Sequence, residues 1–128
     1  MKQYICIDIG GTSIKHGVIT ENEEFCESNE MLTEAMKDGG PGILKKIFQI
    51  TEEYLKTYAV QGICVSTAGM VDCEQGKILY AAPLIPDYTG TEIKKSMEEK
   101  FGIPCEVEND VNCAGLCRAL FRGGQRQQ

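Results

Sequence analysis

Tyr4-Ile5-Cys6-Ile7-Asp8-Ile9-Gly10-Gly11-Thr12-Ser13-Ile14-Lys15 decides how the rest of the chain is read. An apolar run rich in β-branched residues, broken by one acid, predicts a buried strand. The Gly10-Gly11 pair then predicts a tight turn with the unusual backbone angles that glycine supplies. A second alternating run, Ile14 to Ile19, leads back out, so the whole reads as a β-hairpin. Glycines bare the backbone N–H groups at its tip, and Thr12 and Ser13 add hydroxyls, a combination that can cradle phosphate oxygens. Asp8, at the end of a strand that should be buried, wants a cation, and a hydrated Mg2+ carried by a nucleotide is the natural candidate. The same residues also make an ordinary hairpin with a half-exposed acid. Their spacing matches neither a Walker loop nor a G-x-G-x-x-G turn.

With 128 residues the chain is long enough for one compact domain with its own core. A net charge of −6 argues against a nucleic-acid surface. No apolar stretch approaches the roughly 20 residues that span a membrane. Met1-Lys2-Gln3 runs directly into the first strand, with no export signal expected. Seven cysteines are an odd count, and without export they predict reduced thiols in the cytoplasm rather than a disulfide framework. Cys6 and Cys64 fall in expected core strands, where a thiol packs as a small hydrophobe. Cys113 and Cys117 have a spacing that could hold a metal, but no Cys or His pair accompanies them, so packing is the expectation.

Outward from the hairpin, the stretch 24–31 predicts a third antiparallel strand. Gly39-Gly40-Pro41-Gly42 punctuates the chain, and Ile43, Ile47, Ile50 and Tyr54 then recur at helical spacing up to about Tyr58. The stretch 60–66 predicts a buried strand ending in the small-residue loop Ser66-Thr67-Ala68-Gly69. Residues 72–77 predict a turn, 78–80 a short extended piece, and Pro83 and Pro86 bracket an irregular loop. A helix is expected after Thr91 as N-cap, with Gly102 closing it. A strand over 105–108 and a helix over 111–120 complete the order βββαβαβα, a ribonuclease-H-like mixed α/β sheet with helices packed over it.

Two further stretches carry candidate chemistry. Glu108-Asn109-Asp110-Val111-Asn112 puts an acid at the end of a strand and the mouth of a helix, where open α/β sheets place ligands. Asn109 and Asp110 are equally good helix caps. Ser66 to Asp72 offers small residues that let a ligand approach the backbone, and reads as well as a simple loop.

Asp8-Ile9-Gly10-Gly11-Thr12-Ser13-Ile14-Lys15 resembles the first phosphate motif of the sugar-kinase and actin superfamily, specifically its ROK branch of bacterial glucokinases, related hexose and N-acetylmannosamine kinases and sugar-responsive repressors. Glu108-Asn109-Asp110-Val111-Asn112-Cys113-Ala114-Gly115-Leu116 is similar to the ROK catalytic segment. The resemblance implies one half of an actin-like ATPase fold. It also implies ATP-dependent phosphorylation of a hexose or amino sugar, with Asp110 as general base and Asn109 holding the sugar. Gly69 and Ala68 would lie beside the sugar, Ala68 standing where the family commonly has Pro. Gly10, Gly11 and Thr12 would meet the nucleotide phosphates, and Asp8 would hold Mg2+ through water. Ala82 stands roughly where the family's sugar-side loop usually has Asn. A non-catalytic sugar-binding regulator is the alternative within the same family.

The expected organisation is a domain over residues 1–116 followed by an aberrant tail, with the family's second domain absent and the chain inactive alone. Exposed apolar surface left by that loss could bring self-association into a homo-oligomer. Back-translated with permitted codons and shifted by one base, Cys117 to Gln128 reads Ala-Glu-Arg-Tyr-Ser-Gly-Ala-Ala-Lys-Asp-Ser, which restores the family's Ala-Glu and Gly. A single-base frameshift after Leu116 is the expectation, and sequencing the gene through a second domain tests it.

Overall fold

The computed structural model describes residues 2–22, 24–67, 70–72, 74–80 and 87–109. The hairpin is present as β1 (Gln3–Ile9) and β2 (Ser13–Thr20), and β3 (Phe25–Leu32) extends it. Helix α1 (Ala35–Leu55) leads to β4 (Gly62–Thr67). A small hairpin, β5 (Met70–Asp72) and β6 (Lys77–Tyr80), precedes α2 (Ile93–Phe101) and β7 (Cys105–Asn109).

The main sheet has the order β3-β2-β1-β4-β7. β2 pairs antiparallel with β1 and β3, while β4 pairs parallel with β1 and β7 with β4. This is the mixed α/β sheet expected from the sequence. Alternation explains which residues face the helices. Ile5, Ile7 and Ile9 of β1, with Ile63 and Val65 of β4, form one buried cluster with Ile47 of α1 and Met97 of α2. β4 is buried along its whole length, as expected of a parallel strand covered on both faces.

Several expectations shift. α1 begins at Ala35, eight residues before Ile43, because a short helical segment precedes the expected helix; Gly39 (φ 61, ψ −160) leaves the helical conformation and separates the two segments at a kink, so the expected punctuation is there. Pro41 then sits at the start of the second segment, where its missing N–H costs little. β5 was expected as loop, since three residues are too few for a period to register. Its partner turn closes with Gly76 at φ +62. Glu92, not Thr91, occupies the N-cap of α2, and it makes no side-chain cap bond. The Thr91 N–H instead donates to the Tyr88 carbonyl at 3.0 Å. Gly102 caps the helix in the left-handed conformation (φ 66), its N–H on Glu98 O, as expected. Cys6, Cys26 and Cys105 form no disulfide. The expected helix over 111–120, the Cys113/Cys117 pair and the whole tail lie outside the described residues.

Candidate functional site

β1, β4 and β7 run parallel and in register, so that Ile9, Thr67 and Asn109 stand side by side at their carboxyl ends. The segments that leave these strands therefore start from one rim of the sheet. They are Gly10-Gly11-Thr12 after β1, Ala68-Gly69 after β4 and Asp110 after β7. Three strand ends distant in sequence are brought to one edge by strand pairing alone.

The turn after β1 is the best-defined part of the rim. Gly10 N–H donates to Ser13 O at 2.9 Å, and Thr33 N–H donates to Thr12 O at 2.9 Å. The Thr33 hydroxyl donates to Gly10 O at 2.7 Å. Gly11 and Thr12 are exposed. Neither glycine has a positive φ, so the expectation of unusual backbone angles does not hold. The third strand's end, rather than a two-residue mirror-image turn, shapes the tip. At Gly10 a Cβ would sit 3.0 Å from Ser13 O, so space is tight there; at Gly11 it would meet nothing within 4 Å. The open side of Gly11 is where a ligand can approach.

Asp8 alternates with the core residues Ile7 and Ile9 and so points to the opposite face of the sheet. Its register neighbours are Lys15 on β2 and Ser66 on β4, and Ser66 is in turn level with Glu108 on β7. Lys15, Asp8, Ser66 and Glu108 thus form a row across four strands, one strand step of roughly 4.8 Å apart. The Ser66 hydroxyl donates to Asp8 Oδ1 at 2.9 Å, fixing the carboxylate's orientation. Among the described residues no group of three His, Cys, Asp or Glu side chains could hold a metal by itself. Asp8 alone still suits an ion that keeps several waters and takes its other ligands from a substrate.

Behind the rim, Tyr88 is fully buried and its hydroxyl lies 2.6 Å from Thr67 Oγ1. Burial pushes its phenol up to about 12, partly opposed by the hydrogen bond to Thr67. Tyr88 is thereby pinned to the last residue of β4. Gly40 lies directly against the backbone of Asp87 and Tyr88, leaving no room for a Cβ.

Of the sequence-predicted residues, Asp8, Gly10, Gly11 and Thr12 are brought together at the rim, and Asn109 reaches it as the last residue of β7. Asp110, Ala68, Gly69 and Ala82 lie outside the described residues. Thr33, Ser66 and Tyr88 were not singled out as site residues. Ser66 could have been found, because the parity of β1 and β4 puts it beside Asp8; Thr33 and Tyr88 carry no local signal.

A sequence profile described as the ROK family matches residues 4–128. An uncharacterized protein of Clostridium perfringens is 55% identical over 124 residues, covering 97% of this chain and 41% of its own length. The glucokinase of Streptomyces coelicolor is 30% identical over 121 residues, covering 94% of this chain and 37% of that enzyme. The crystal structure of a ROK family glucokinase from Streptomyces griseus, in complex with glucose and AMPPNP, superposes with a TM-score of 0.76 at 30% identity. The match covers 96% of this chain and 38% of that one. The chain therefore spans about two-fifths of the length of the relatives it matches.

Proposed function

The chain belongs to the ROK family, and from that footing we propose that it carries the phosphate turn and the sugar-side acid of an ATP-dependent hexose or amino-sugar kinase. The observation that supports this most is the rim. One exposed turn with backbone donors, one oriented carboxylate and the carboxyl end of β7 meet at the same edge of the sheet.

In this reading Gly10, Gly11 and Thr12 bind the nucleotide phosphates through backbone N–H groups. Asp8, held by Ser66 Oγ, takes Mg2+ through water; the ion when bound neutralises charge on the phosphates. Asp110 accepts the proton of the attacking sugar hydroxyl, and Asn109 fixes the sugar's pose together with the backbone at Ala68 and Gly69. Phosphoryl transfer needs little else from the protein than alignment and charge stabilisation. In a two-domain kinase the site closes between the domains. Residues 1–116 would form one such domain, and turnover would need a second domain to close over this rim.

The sugar acceptor is the small-molecule partner. Neither nucleic acid nor a membrane enters the reading, and no helix among the described residues is long and apolar enough to cross one. A kinase drawing on ATP belongs in the cytoplasm.

The test is a thermal-shift panel with glucose, N-acetylglucosamine, N-acetylmannosamine and Mg-ATP. A ligand at 100 times its Kd stabilises the fold by about 2.7 kcal/mol. Stabilisation by one sugar that survives Asp110→Asn, with no ADP release from either protein, is the expected result. No stabilisation by any sugar or by Mg-ATP would remove the half-site reading, and ordinary turnover by the chain would refute its dependence on a second domain.

A further inference from the structure

We propose that Thr33 and Lys46 are positioning residues for the phosphate turn, forming a brace that decides which way its amides face. The proposal rests on the nucleotide reading of that turn. Thr33 is fully buried at the end of the β3 arm. Its hydroxyl holds Gly10 O and its N–H holds Thr12 O, at 2.7 and 2.9 Å. Two alternate carbonyls of the turn are thus pulled toward one residue.

The described peptides are all trans. In a trans peptide the C=O of one residue and the N–H of the next point in opposite directions. With the carbonyls of Gly10 and Thr12 turned toward Thr33, the N–H groups of Gly11 and Ser13 are turned away from it. That leaves two amide donors on one side of the turn, the arrangement that receives a phosphate oxygen. Without the brace each peptide plane is free to rotate, and the donors have no common direction.

Lys46 stands behind Thr33. It is buried on α1, and its ammonium donates to the Thr33 carbonyl at 2.6 Å while lying 3.5 Å from Glu34 Oε1. An ammonium is costly to bury, and here it is spent on a backbone carbonyl one residue from an unusual one. Glu34 adopts the left-handed region at φ 54, ψ 42, which a non-glycine residue enters only when its surroundings hold it there. The strained elbow at Glu34 turns the chain from β3 into α1 and sets Thr33 facing the turn. Thr33, Glu34 and Lys46 therefore fix the turn from a distance, while none of them has to touch the nucleotide.

The experiment uses the 128-residue chain, 15N-labelled, titrated with Mg-ATP and followed at the Gly11 and Ser13 amides. Thr33→Val keeps the shape and the N–H but loses the hydroxyl, Thr33→Ser restores the hydroxyl, and Lys46→Met removes the ammonium. Wild type and Thr33→Ser should show saturable shifts at the turn. Thr33→Val should bind about threefold to tenfold more weakly, the worth of one net hydrogen bond, while keeping any sugar-induced stabilisation. Lys46→Met should weaken Mg-ATP in the same direction, and it reads the brace should Thr33→Val fail to fold. Mg-ATP affinity unchanged in the folded variants overturns the brace alone. No shift at the turn in wild type overturns the nucleotide reading, and the brace's purpose with it.

Discussion

Gly40→Ala sets two effects of opposite sign against each other. Gly40 stands between the kink at Gly39 and Pro41, at the head of the second segment of α1, without a positive φ, so the lost freedom of the unfolded chain by itself predicts that alanine stabilises by about 0.4–1 kcal/mol. The new methyl, however, would run into the carbonyl oxygen of Asp87 and come within 2.8 Å of the Asp87 carbonyl carbon and of Tyr88 Cα. These are backbone atoms and cannot swing aside as a side-chain tip could. Asp87 already sits at φ 57, so the loop has little rotation left to absorb the insertion. Overpacking of this kind costs about 1–3 kcal/mol. Displacing the loop also breaks the 2.6 Å contact between Tyr88 and Thr67, worth about 1 kcal/mol more. The clash wins, and a net loss of about 1–3 kcal/mol follows. For a chain of 128 residues each kcal/mol moves Tm by roughly 4 °C, so circular dichroism should show a fall of about 4–12 °C. Ultraviolet titration gives a second reading, because the Tyr88 phenol, pushed to about 12 by burial, should ionise nearer its ordinary value once the loop lifts. An alanine variant that melts at or above the wild-type temperature would refute the packing of this loop on α1.

Other perturbations test the remaining parts. Gly11→Ala should leave Tm within about 0.5 kcal/mol of wild type, as befits an open surface position, yet weaken Mg-ATP in the same titration because its methyl occupies the approach to the turn. His16 is held below its ordinary pKa by burial, with a smaller opposing pull from Glu27. The unfolded chain therefore takes up the proton first; this contribution is intact above about pH 6.5 and is lost as pH falls toward the folded pKa. His16→Asn should flatten that part of a denaturation-versus-pH curve. Lys94 donates to Cys105 O and to both carboxylate oxygens of Glu106, at 2.9 to 3.2 Å. Lys94→Met should cost about 1–3 kcal/mol in urea unfolding and leave ligand-induced shifts at the turn unchanged.

The main sheet was legible because each strand carries its own signal. β1 and β4 are continuous apolar runs, and β2 alternates, so their types and order follow from local pattern. β5 is only three residues long and has no period to read. Gly39-Gly40-Pro41-Gly42 is a real break, with Gly39 out of the helical conformation, and what stayed hidden is the short helical segment from Ala35 that precedes it. The turn proposed to take phosphate was singled out by its glycines, for a conformational reason that only half holds. Gly10 is small because Ser13 O crowds it, and Gly11 is small with nothing beside it. The contacts that shape the site join Thr33 to Gly10 and Tyr88 to Thr67, 23 and 21 residues apart. No window of local sequence reports such pairs.

Those long-range contacts divide the candidate site into unequal parts. Every bond described at the phosphate turn, from Thr33, Ser13 and Lys46, is made within this chain. The turn's donors are therefore oriented before any ligand arrives, which is the condition under which fixed dipoles stabilise charge most effectively. Sugar recognition in the proposed kinase, in contrast, would rest on Ala68 and Gly69 after β4 and on Asn109 and Asp110 at the end of β7, two separate strand ends that have to converge on one hydroxyl. An error of about 1 Å in such convergence can cost two orders of magnitude in rate. A single substitution can thus disable transfer by disturbing the sugar side while the turn still takes phosphate. The reverse holds for Thr33→Val, and a chain carrying both halves of the site would show that variant as a rise in KM for ATP with the sugar's KM unmoved.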